Sequence, residues 1–239
     1  MKPKSDNLFH FTKTIQVLKL ILKNGIEPRM CLEDMQWLSH LTENHIAFPM
    51  SCFCDIPLSR ISEHTDFYGS YGIGLSKEWG LKNKLNPVIY SPTNGTIQKS
   101  FGYYYKKYEE LNQENDSLYL KNTYALWALI KPIVGKMVIG GEFIEKEFYQ
   151  ENEWRYVPPV EIAISDDVFE EEKEKCNEDI KKFTLKLTPT DIKYIFVKTD
   201  NDIPELVDYI NTEMGNFPHN DLKILQSRIT SLETLSDDL

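Results

Sequence analysis

The sequence has 239 residues, of which 41% are hydrophobic, 12% aromatic and 27% charged. A chain of this length and composition can bury a full hydrophobic core, so its stability requires neither disulfides nor a structural metal. The 27 basic and 37 acidic residues give a formal net charge of −10, which argues against bulk nucleic-acid binding because that affinity comes from neutralised phosphates.

Several features point to a cytoplasmic protein. No apolar run approaches the roughly 20 residues that a membrane-spanning helix needs, and no signal peptide is visible. The cysteines show no secretory pairing pattern. A single residue separates Cys52 from Cys54, whereas paired cysteines of zinc sites typically have two residues between them. We therefore expect no metal and a single domain over 1–239, with a loose acidic tail at about 231–239.

The first half of the chain predicts alternating strands and helices. Residues 8–11 form a strand, and Thr12 or Thr14 caps a helix that Asn24 and Gly25 end. Apolar spacing and turn residues then predict the following elements: a helix at 33–43, a strand at 50–56, a helix at about 58–67, and strands at 71–75 and 86–90.

The second half contains longer helical stretches. Residues 94–131 form two helices with a break near 112–116, and the second, 118–130, is apolar enough to be a core helix. The remaining elements are a turn at Gly140–Gly141, strands at 143–149, 153–157, 183–187 and 194–198, and helices at 166–182 and about 203–214. Strands at irregular spacing favour an α+β fold over a doubly wound sheet.

Three groups of residues are candidates for function. Glu153 and Arg155 share one face of a strand, either as an ion pair or as a catalytic carboxylate that the arginine keeps ionised, whereas Trp154 and Tyr156 face the other side. His10 lies between two phenylalanines and is either bonded to backbone or aimed into a pocket. Gly72 and Gly74 alternate in a strand, which indicates close approach of another backbone or a ligand.

The order of these motifs resembles the AbiGi family of bacterial abortive-infection proteins. The resemblance covers most of residues 7–230, and the segments that carry it are Leu8–Thr12, Asn24–Pro28, Cys52–Ser59, Tyr68–Gly80, Asn86–Tyr90 and Glu153–Pro158. It implies an antiphage role, as the antitoxin component of a phage-resistance operon.

A more distant likeness is to ADP-ribosyltransferase-like folds, with mixed, largely antiparallel central sheets and flanking helices. That likeness implies NAD as substrate and three catalytic positions, His10, Tyr71 and Glu153, with Tyr68 or Ser76 as alternatives to Tyr71. The same likeness implies that the dinucleotide is bound by His10, Thr12, Tyr68, Tyr71 and Arg155. A buried carboxylate can stabilise the oxocarbenium-like charge that develops when the nicotinamide–ribose bond breaks.

The alternative is a non-catalytic antitoxin or regulatory module that captures an operon-encoded toxin partner. An acidic chain with a tyrosine-rich helix, at Tyr103–Tyr105 and Tyr108, suits a basic toxin because complementary charge favours encounter. Those tyrosines are otherwise expected in the core or at an interface. A metal-dependent nuclease is a remote third reading, since no carboxylate cluster with a nearby lysine stands out.

Overall fold

The computed structural model describes residues 5–38, 44–110, 117–139 and 142–236. It divides the chain into two compact units that are interleaved in sequence. The first unit is drawn from residues 1–27, 52–85 and 184–239, and the second from 28–51 and 86–183. The prediction of one domain over 1–239 is not tested by this division and stays a prediction.

Strands occur in both halves of the described chain. They are β1 (Asn7–Thr12), β2 (Arg29–Asp34), β3 (His45–Cys54), β4 (Tyr71–Ser76), β5 (Asn86–Pro87), β6 (Ile89–Ser91), β7 (Ile130–Pro132), β8 (Val134–Ile139), β9 (Glu142–Glu147), β10 (Glu153–Tyr156), β11 (Ile164–Ser165), β12 (Ile192–Val197) and β13 (Ile229–Ser231).

Helices are interspersed among these strands. They are α1 (Ile15–Asn24), α2 (Ile61–Tyr68), α3 (Lys77–Lys82), α4 (Thr96–Glu110), α5 (Ser117–Trp127), α6 (Phe169–Ile180), α7 (Asp202–Glu213), α8 (His219–Gln226) and α9 (Leu232–Ser236). Within the described residues, none of these helices is long and apolar enough to cross a bilayer.

The first unit is built on a sheet in which β4 lies between β1 and β12. Both of these pairings are antiparallel, whereas β12 and β13 run parallel. The end of β3 also joins β1, with Cys54 opposite Phe9. One face of the sheet carries a core of Phe9, Cys54, Ile56, Ile61 and Phe196.

Helix α1 follows the sequence prediction closely. The Thr14 hydroxyl accepts a hydrogen bond from the Val17 amide, which satisfies a donor that the first helical turn leaves unpaired. Gly25 ends the helix with a φ of 101°, a backbone conformation that residues other than glycine rarely adopt. This glycine also lies against the Leu185 carbonyl, so residues 24–26 connect α1 tightly to the rest of the first unit.

The glycines of β4 are covered by aromatic rings. A Cβ at Gly72 would lie 2.6 Å from the Phe11 ring, and one at Gly74 would lie 2.9 Å from the Phe9 ring and 3.0 Å from the Tyr194 ring. The sequence predicted close approach at these positions, of a backbone or a ligand. The structure fills the space with aromatic rings from β1 and β12 and, at Gly72, also with the backbone carbonyl of His10.

The second unit contains several small β arrangements. Strand β3 pairs antiparallel with β2 and with β11, and β10 pairs antiparallel with β5. Strands β6 and β7 form a parallel pair, and β8 and β9 form an antiparallel hairpin. Under β2 and β3 lies a core of Met30, Ala47, Ile164 and Ile180. Together the two units make an α+β fold with mixed, mostly antiparallel pairing, which confirms the fold class.

Some predicted elements are wrong, chiefly in the second unit. In the helix predicted at 33–43, none of the described residues is helical: Glu33 and Asp34 end β2, which pairs with β3, and residues 35–38 form a turn after the strand, so strand pairing of the preceding residues prevails over the apolar spacing. The predicted strand at 183–187 is reduced to a single bridge between Leu185 and Ile26. Helix α5 ends at Trp127, and of its described side chains, 122–127, only Trp127 is buried while Leu126 is 48% exposed, so this part of the helix lies at the surface and is not a core helix.

Other predictions fall wholly or partly outside the described residues. The Gly140–Gly141 turn and the break near 112–116 lie there, as do Leu41 in the predicted helix at 33–43 and the last residues of the predicted tail. The described part of that tail, 231–236, consists of Ser231, which ends β13, and helix α9.

Candidate functional site

The second unit contains a cluster of buried charged side chains, which we call the buried ion cluster. Its members are three acids and three bases: Glu33, Glu151, Glu153, Lys131, Lys146 and Arg155. Arg155 is fully buried, Glu153 is 5% exposed and Lys131 is 7% exposed. Charged residues are almost never this buried unless they are paired, so the geometry of their pairing determines what the cluster can do.

Arg155 lies at the centre of the cluster and uses all three guanidinium nitrogens. Its Nε and Nη2 donate to the two carboxylate oxygens of Glu153, at 2.8 and 3.1 Å. Nη2 also donates to Glu33 at 2.9 Å, and Nη1 donates to the Ala128 carbonyl at 2.6 Å. This is the two-point recognition of a carboxylate for which the guanidinium fork is suited.

Lys131 provides the second cation beside Glu153. Its Nζ donates to the Glu153 carboxylate at 3.0 Å, lies 3.5 Å from Glu151, and sits 4.1 Å from the centre of the Phe148 ring. Burial opposes the charge on Lys131 and is the largest single influence, but Glu153, Glu33 and Glu151 together outweigh it and raise the lysine pKa. Lys131 therefore stays protonated and cannot serve as a base.

Glu151 is held by two lysines in the same cluster. Besides Lys131, the Lys146 ammonium donates to it at 2.6 Å. Burial favours the protonated acid, yet the two ammonium groups together outweigh burial and lower the pKa of Glu151.

Tyr90 contacts the backbone of the same cluster. Its hydroxyl accepts a hydrogen bond from the backbone amide of Glu153 at 2.8 Å, and burial raises the pKa of this phenol.

The arrangement fits a structural role for Glu153 better than a catalytic one. Three acids balance three bases, and both Glu153 oxygens are bonded to cations. The sequence offered the ion pair as one reading of Glu153 and Arg155, and that pair is present. Trp154 and Tyr156, on the opposite face of β10, are only half-buried, so the charged face rather than the aromatic face points inward.

His10 lies in β1 of the first unit and is bonded to backbone. Its Nδ1 donates to the Cys52 carbonyl at 2.8 Å, and its ring packs against Phe53 with 5.3 Å between centroids. Burial lowers the His10 pKa, outweighing the Cys52 carbonyl, which favours the cation. A neutral ring with Nδ1 as donor leaves Nε2 as an acceptor.

Three of the predicted site residues share one face of the first unit's sheet. His10 and Thr12 are two residues apart in β1 and therefore face the same side of the sheet. Thr12 is the cross-strand partner of Tyr71, which faces that side too. The Tyr71 hydroxyl donates to Asp202 at the start of α7, at 3.2 Å, and burial raises the Tyr71 pKa. Ser76, an alternative to Tyr71 at the second position, caps α3 by accepting from the Trp79 amide.

Tyr68 lies on the opposite face of that sheet. Its ring stacks on His64 at 4.4 Å, and His64 packs against Phe11, which neighbours His10 in β1 and so points the other way. The structure thus brings His10, Thr12 and Tyr71 together and leaves Tyr68 out. Glu153 and Arg155 belong to the other unit, and their convergence with His10 stays a prediction.

Two further features concern possible ligands. Among the described residues, no group of three or more His, Cys, Asp or Glu side chains is placed to hold a metal ion. A surface hollow of about 580 Å³ lies at the C-terminal ends of α1 and α7, where Lys23 and Glu213 form an ion pair at 2.7 Å. Its lining includes none of the predicted site residues.

Sequence reasoning singled out Glu153 and Arg155 and missed the other four members of the buried ion cluster. Glu33 and Lys131 are far from Glu153 in sequence, whereas Lys146 and Glu151 are close to it, but nothing in the spacing of any of the four predicts the contact. One signal was available for Lys131, which lies between Ile130 and Pro132 in an apolar stretch. A lysine in such a stretch must find an anionic partner if the stretch is buried.

Comparison with known proteins places this sequence among phage-resistance proteins. Residues 24–198 match the model of a family described as "Putative abortive phage resistance protein AbiGi, antitoxin". The chain is also 27% identical, over 244 aligned positions, to "Abortive phage resistance protein AbiGi" of Lactococcus lactis subsp. cremoris, an alignment that covers 88% of this chain and 98% of that protein. No solved structure matches.

Proposed function

Because the chain belongs to the AbiGi family, we propose that it acts in abortive infection as a non-catalytic antitoxin that binds and restrains a protein partner. The observation that carries the proposal is the family match over residues 24–198, whose description names an antitoxin. An antitoxin needs a stable surface for its partner and no reactive group of its own.

The buried ion cluster supports binding over catalysis. A catalytic carboxylate must reach the reacting atoms of a substrate, and Glu153 is 5% exposed with both oxygens bonded to Arg155 and Lys131. Exposing it would remove from Arg155 and Lys131 the carboxylate that they share, and leave them with Glu33 and Glu151 alone. Removing one member of a buried ion pair costs about 3–5 kcal/mol, so such an opening would be rare.

The second candidate is NAD-dependent ADP-ribosyl transfer or NAD hydrolysis. The observation in its favour is that His10, Thr12 and Tyr71 lie on one face of the first unit's sheet, as a dinucleotide site would need. In this reading the acceptor Nε2 of His10 would take a ribose hydroxyl proton in a hydrogen bond, Tyr71 would stack on nicotinamide, and Arg155 would contact the dinucleotide. Glu153 would orient the incoming nucleophile.

One pair of measurements distinguishes the two candidates. The antitoxin proposal predicts a stoichiometric complex when the chain is co-expressed with the product of the neighbouring operon gene, and rescue of growth from that product. A monodisperse chain that ignores this product, and leaves its toxicity unchanged, would contradict the proposal.

The transferase candidate is tested by calorimetry with NAD on the wild type, Glu153→Ala and His10→Ala. Binding that both folded variants lose would support a dinucleotide site. No heat at millimolar NAD would remove this candidate and leave the antitoxin proposal standing.

A further inference from the structure

The surface hollow of about 580 Å³ in the first unit is formed by the C-terminal ends of two neighbouring helices. Its walls are residues 23–24 at the end of α1, and residues 212–217 at the end of α7 and in the segment that follows it. We call it the α1–α7 hollow. Ligand pockets have volumes of about 300–1000 Å³, so the hollow can hold a ligand the size of a few amino-acid residues.

The charged groups of the α1–α7 hollow are satisfied within the chain. The Lys23 ammonium donates to the Glu213 carboxylate at 2.7 Å, and this hydrogen bond raises the pKa of Lys23. The Lys186 ammonium donates to the Asn24 carbonyl at 3.2 Å, at the negative end of α1. We therefore expect a ligand of this hollow to be selected by shape and hydrogen bonding rather than by charge.

Two asparagine side chains line the hollow and bond to nothing else in the described chain. They are Asn24 and Asn216, and both residues are exposed. Neither takes the left-handed backbone conformation that asparagine tolerates well, which among the described non-glycine residues occurs at Lys84, Asn94 and Asn152. A side-chain amide carries two donors and an acceptor, so each asparagine can bond the N–H and C=O groups of another backbone.

Gly215 lines the hollow at a position where the fold does not require a glycine. Its φ lies outside the left-handed range, and a Cβ there would meet nothing within 4 Å. Gly72, in contrast, has no space for a Cβ beside the Phe11 ring. The absence of a side chain at Gly215 leaves room for another chain to approach its backbone closely.

Apolar surface borders the hollow. The Phe217 ring forms part of its wall and is half-buried. On α1, Leu20 is 54% exposed and lies four residues before Asn24, in the same row of the helix. Val17, one turn earlier, is 41% exposed. Exposed apolar side chains beside a hollow with unbonded amides match the make-up of a protein interface, in which an apolar centre is bordered by polar groups.

We propose that the α1–α7 hollow, together with Leu20, binds an uncharged, apolar segment of the partner protein. The proposal rests on the antitoxin function and specifies where the partner binds and by what chemistry. The backbone of the segment passes close to Gly215 and forms hydrogen bonds with Asn24 and Asn216. Its apolar side chains pack against Phe217 and Leu20.

Gly215 provides the sharpest test, because its substitution should not disturb the fold. We expect Gly215→Leu to raise the dissociation constant of the purified neighbouring-gene product at least about tenfold, since the new side chain would occupy the hollow. The thermal midpoint of the variant should stay that of the wild type. Lys82→Leu adds the same side chain at an exposed position of α3, and should leave the affinity unchanged.

The apolar contact is tested on two exposed leucines of the same unit. Leu20→Ala should weaken binding at least about fivefold. Leu81→Ala is the matched control, since Leu81 is 64% exposed on α3 and should leave binding unchanged. Equal effects of the two substitutions would overturn the proposal.

The asparagines test the hydrogen bonds and the absence of charge selection. We expect Asn24→Ala/Asn216→Ala to weaken binding at least about fivefold without a loss of stability, because neither amide is bonded within the described chain. The ratio of the dissociation constants of this variant and the wild type should be the same at low and high salt. A ratio that falls as salt rises would show a contact made by charge and would overturn the proposal.

Further outcomes separate this proposal from the antitoxin function. If the wild type and Gly215→Leu bind the partner equally, the surface is wrong and the antitoxin function survives. If the wild type does not bind the partner at all, both fail. If the wild type sediments as a dimer and Gly215→Leu as a monomer, the hollow binds a second copy of this chain and the proposal is overturned.

Discussion

At the scale of single residues, the main electrostatic feature of the second unit is its buried ion cluster. Buried ion pairs do not by themselves make a fold more stable than an apolar core would, because removing two charges from water offsets their attraction. They do enforce one arrangement, since every alternative leaves a charge unpaired. The buried ion cluster thus fixes how β2, β7 and β10 meet, through Glu33, Lys131, Glu153 and Arg155.

Removing one acid from this cluster should be far more costly than removing an acid from the surface. We expect Glu153→Ala to lower the free energy of unfolding by about 3–5 kcal/mol, because Arg155 and Lys131 would stay buried with less compensation. The control is Glu170→Ala, whose side chain is 77% exposed beside Lys173, and which should cost less than about 1 kcal/mol. Urea unfolding measures both, and equal losses would show that the cluster is not closed in solution.

His10 should make stability depend on pH near neutrality. Its folded pKa lies below the unfolded value of about 6.5, so the unfolded chain takes up the proton first as pH falls. The contribution is complete above about pH 6.5 and is lost between that value and the folded pKa, with a slope of at most about 1.4 kcal/mol per pH unit.

The measurement compares wild type and His10→Gln, which keeps a donor for the Cys52 carbonyl. Free energies of unfolding from pH 7.5 to 5 should converge or cross as pH falls, because only the wild type loses the histidine contribution. Parallel curves would mean that His10 titrates alike in the folded and unfolded states.

At the scale of elements, β4 is shaped by its neighbours' rings. Phe9, Phe11 and Tyr194 lie over the two glycines, and Phe196 joins them with its ring nearly parallel to that of Tyr194, at 9°. A strand interior gains little from glycine on propensity alone. Its presence here follows from packing, because any side chain would occupy the space that the rings fill.

Adding a methyl group at Gly72 should therefore destabilise the first unit. Its Cβ would lie 2.6 Å from the Phe11 ring and 2.7 Å from the His10 carbonyl, and the carbonyl cannot move without disturbing β1. We expect Gly72→Ala to cost about 1–3 kcal/mol in thermal or urea unfolding. Gly215→Ala, where a Cβ would meet nothing within 4 Å, should stay within about 0.5 kcal/mol of wild type; an equal cost would refute the steric explanation.

At the scale of the whole molecule, the two compact units are not consecutive in sequence. The first unit is made of three stretches of chain and the second of two. Strand β3 is continuous across the boundary, with residues 45–51 in the second unit and 52–54 in the first. No flexible linker separates them at that point. Because β3 contributes to both units, unfolding of either unit would disrupt a strand that continues into the other.

We therefore expect the two units to unfold in one cooperative transition. Trp79 reports on the first unit, and Trp37, Trp127 and Trp154 report on the second. Urea unfolding curves followed by tryptophan fluorescence and by circular dichroism should have the same midpoint in the wild type. The two methods should also agree in Trp79→Phe, whose midpoint is shifted equally for both. Two separated midpoints would show that the units unfold independently and would count against one domain.

The sequence by itself determined whatever depends on nearby residues. Alternation and capping predicted β1, α1, β4 and α7 with small boundary errors, and the spacing of Glu153 and Arg155 gave their ion pair as one of two interpretations. The family was recognisable from ordered motifs. These features rest on interactions within a few residues, which periodicity and cap chemistry report directly.

Only the tertiary structure decided the features that join distant segments. It made β2 a strand by pairing it with β3, and it brought Lys131 and Glu33 to the pair formed by Glu153 and Arg155. It also turned Tyr103 and Tyr104 outward while burying Gln98. Burial and long-range pairing depend on which surfaces meet, and a single sequence carries no local signal for a partner such as Glu33, which is 122 residues from Arg155.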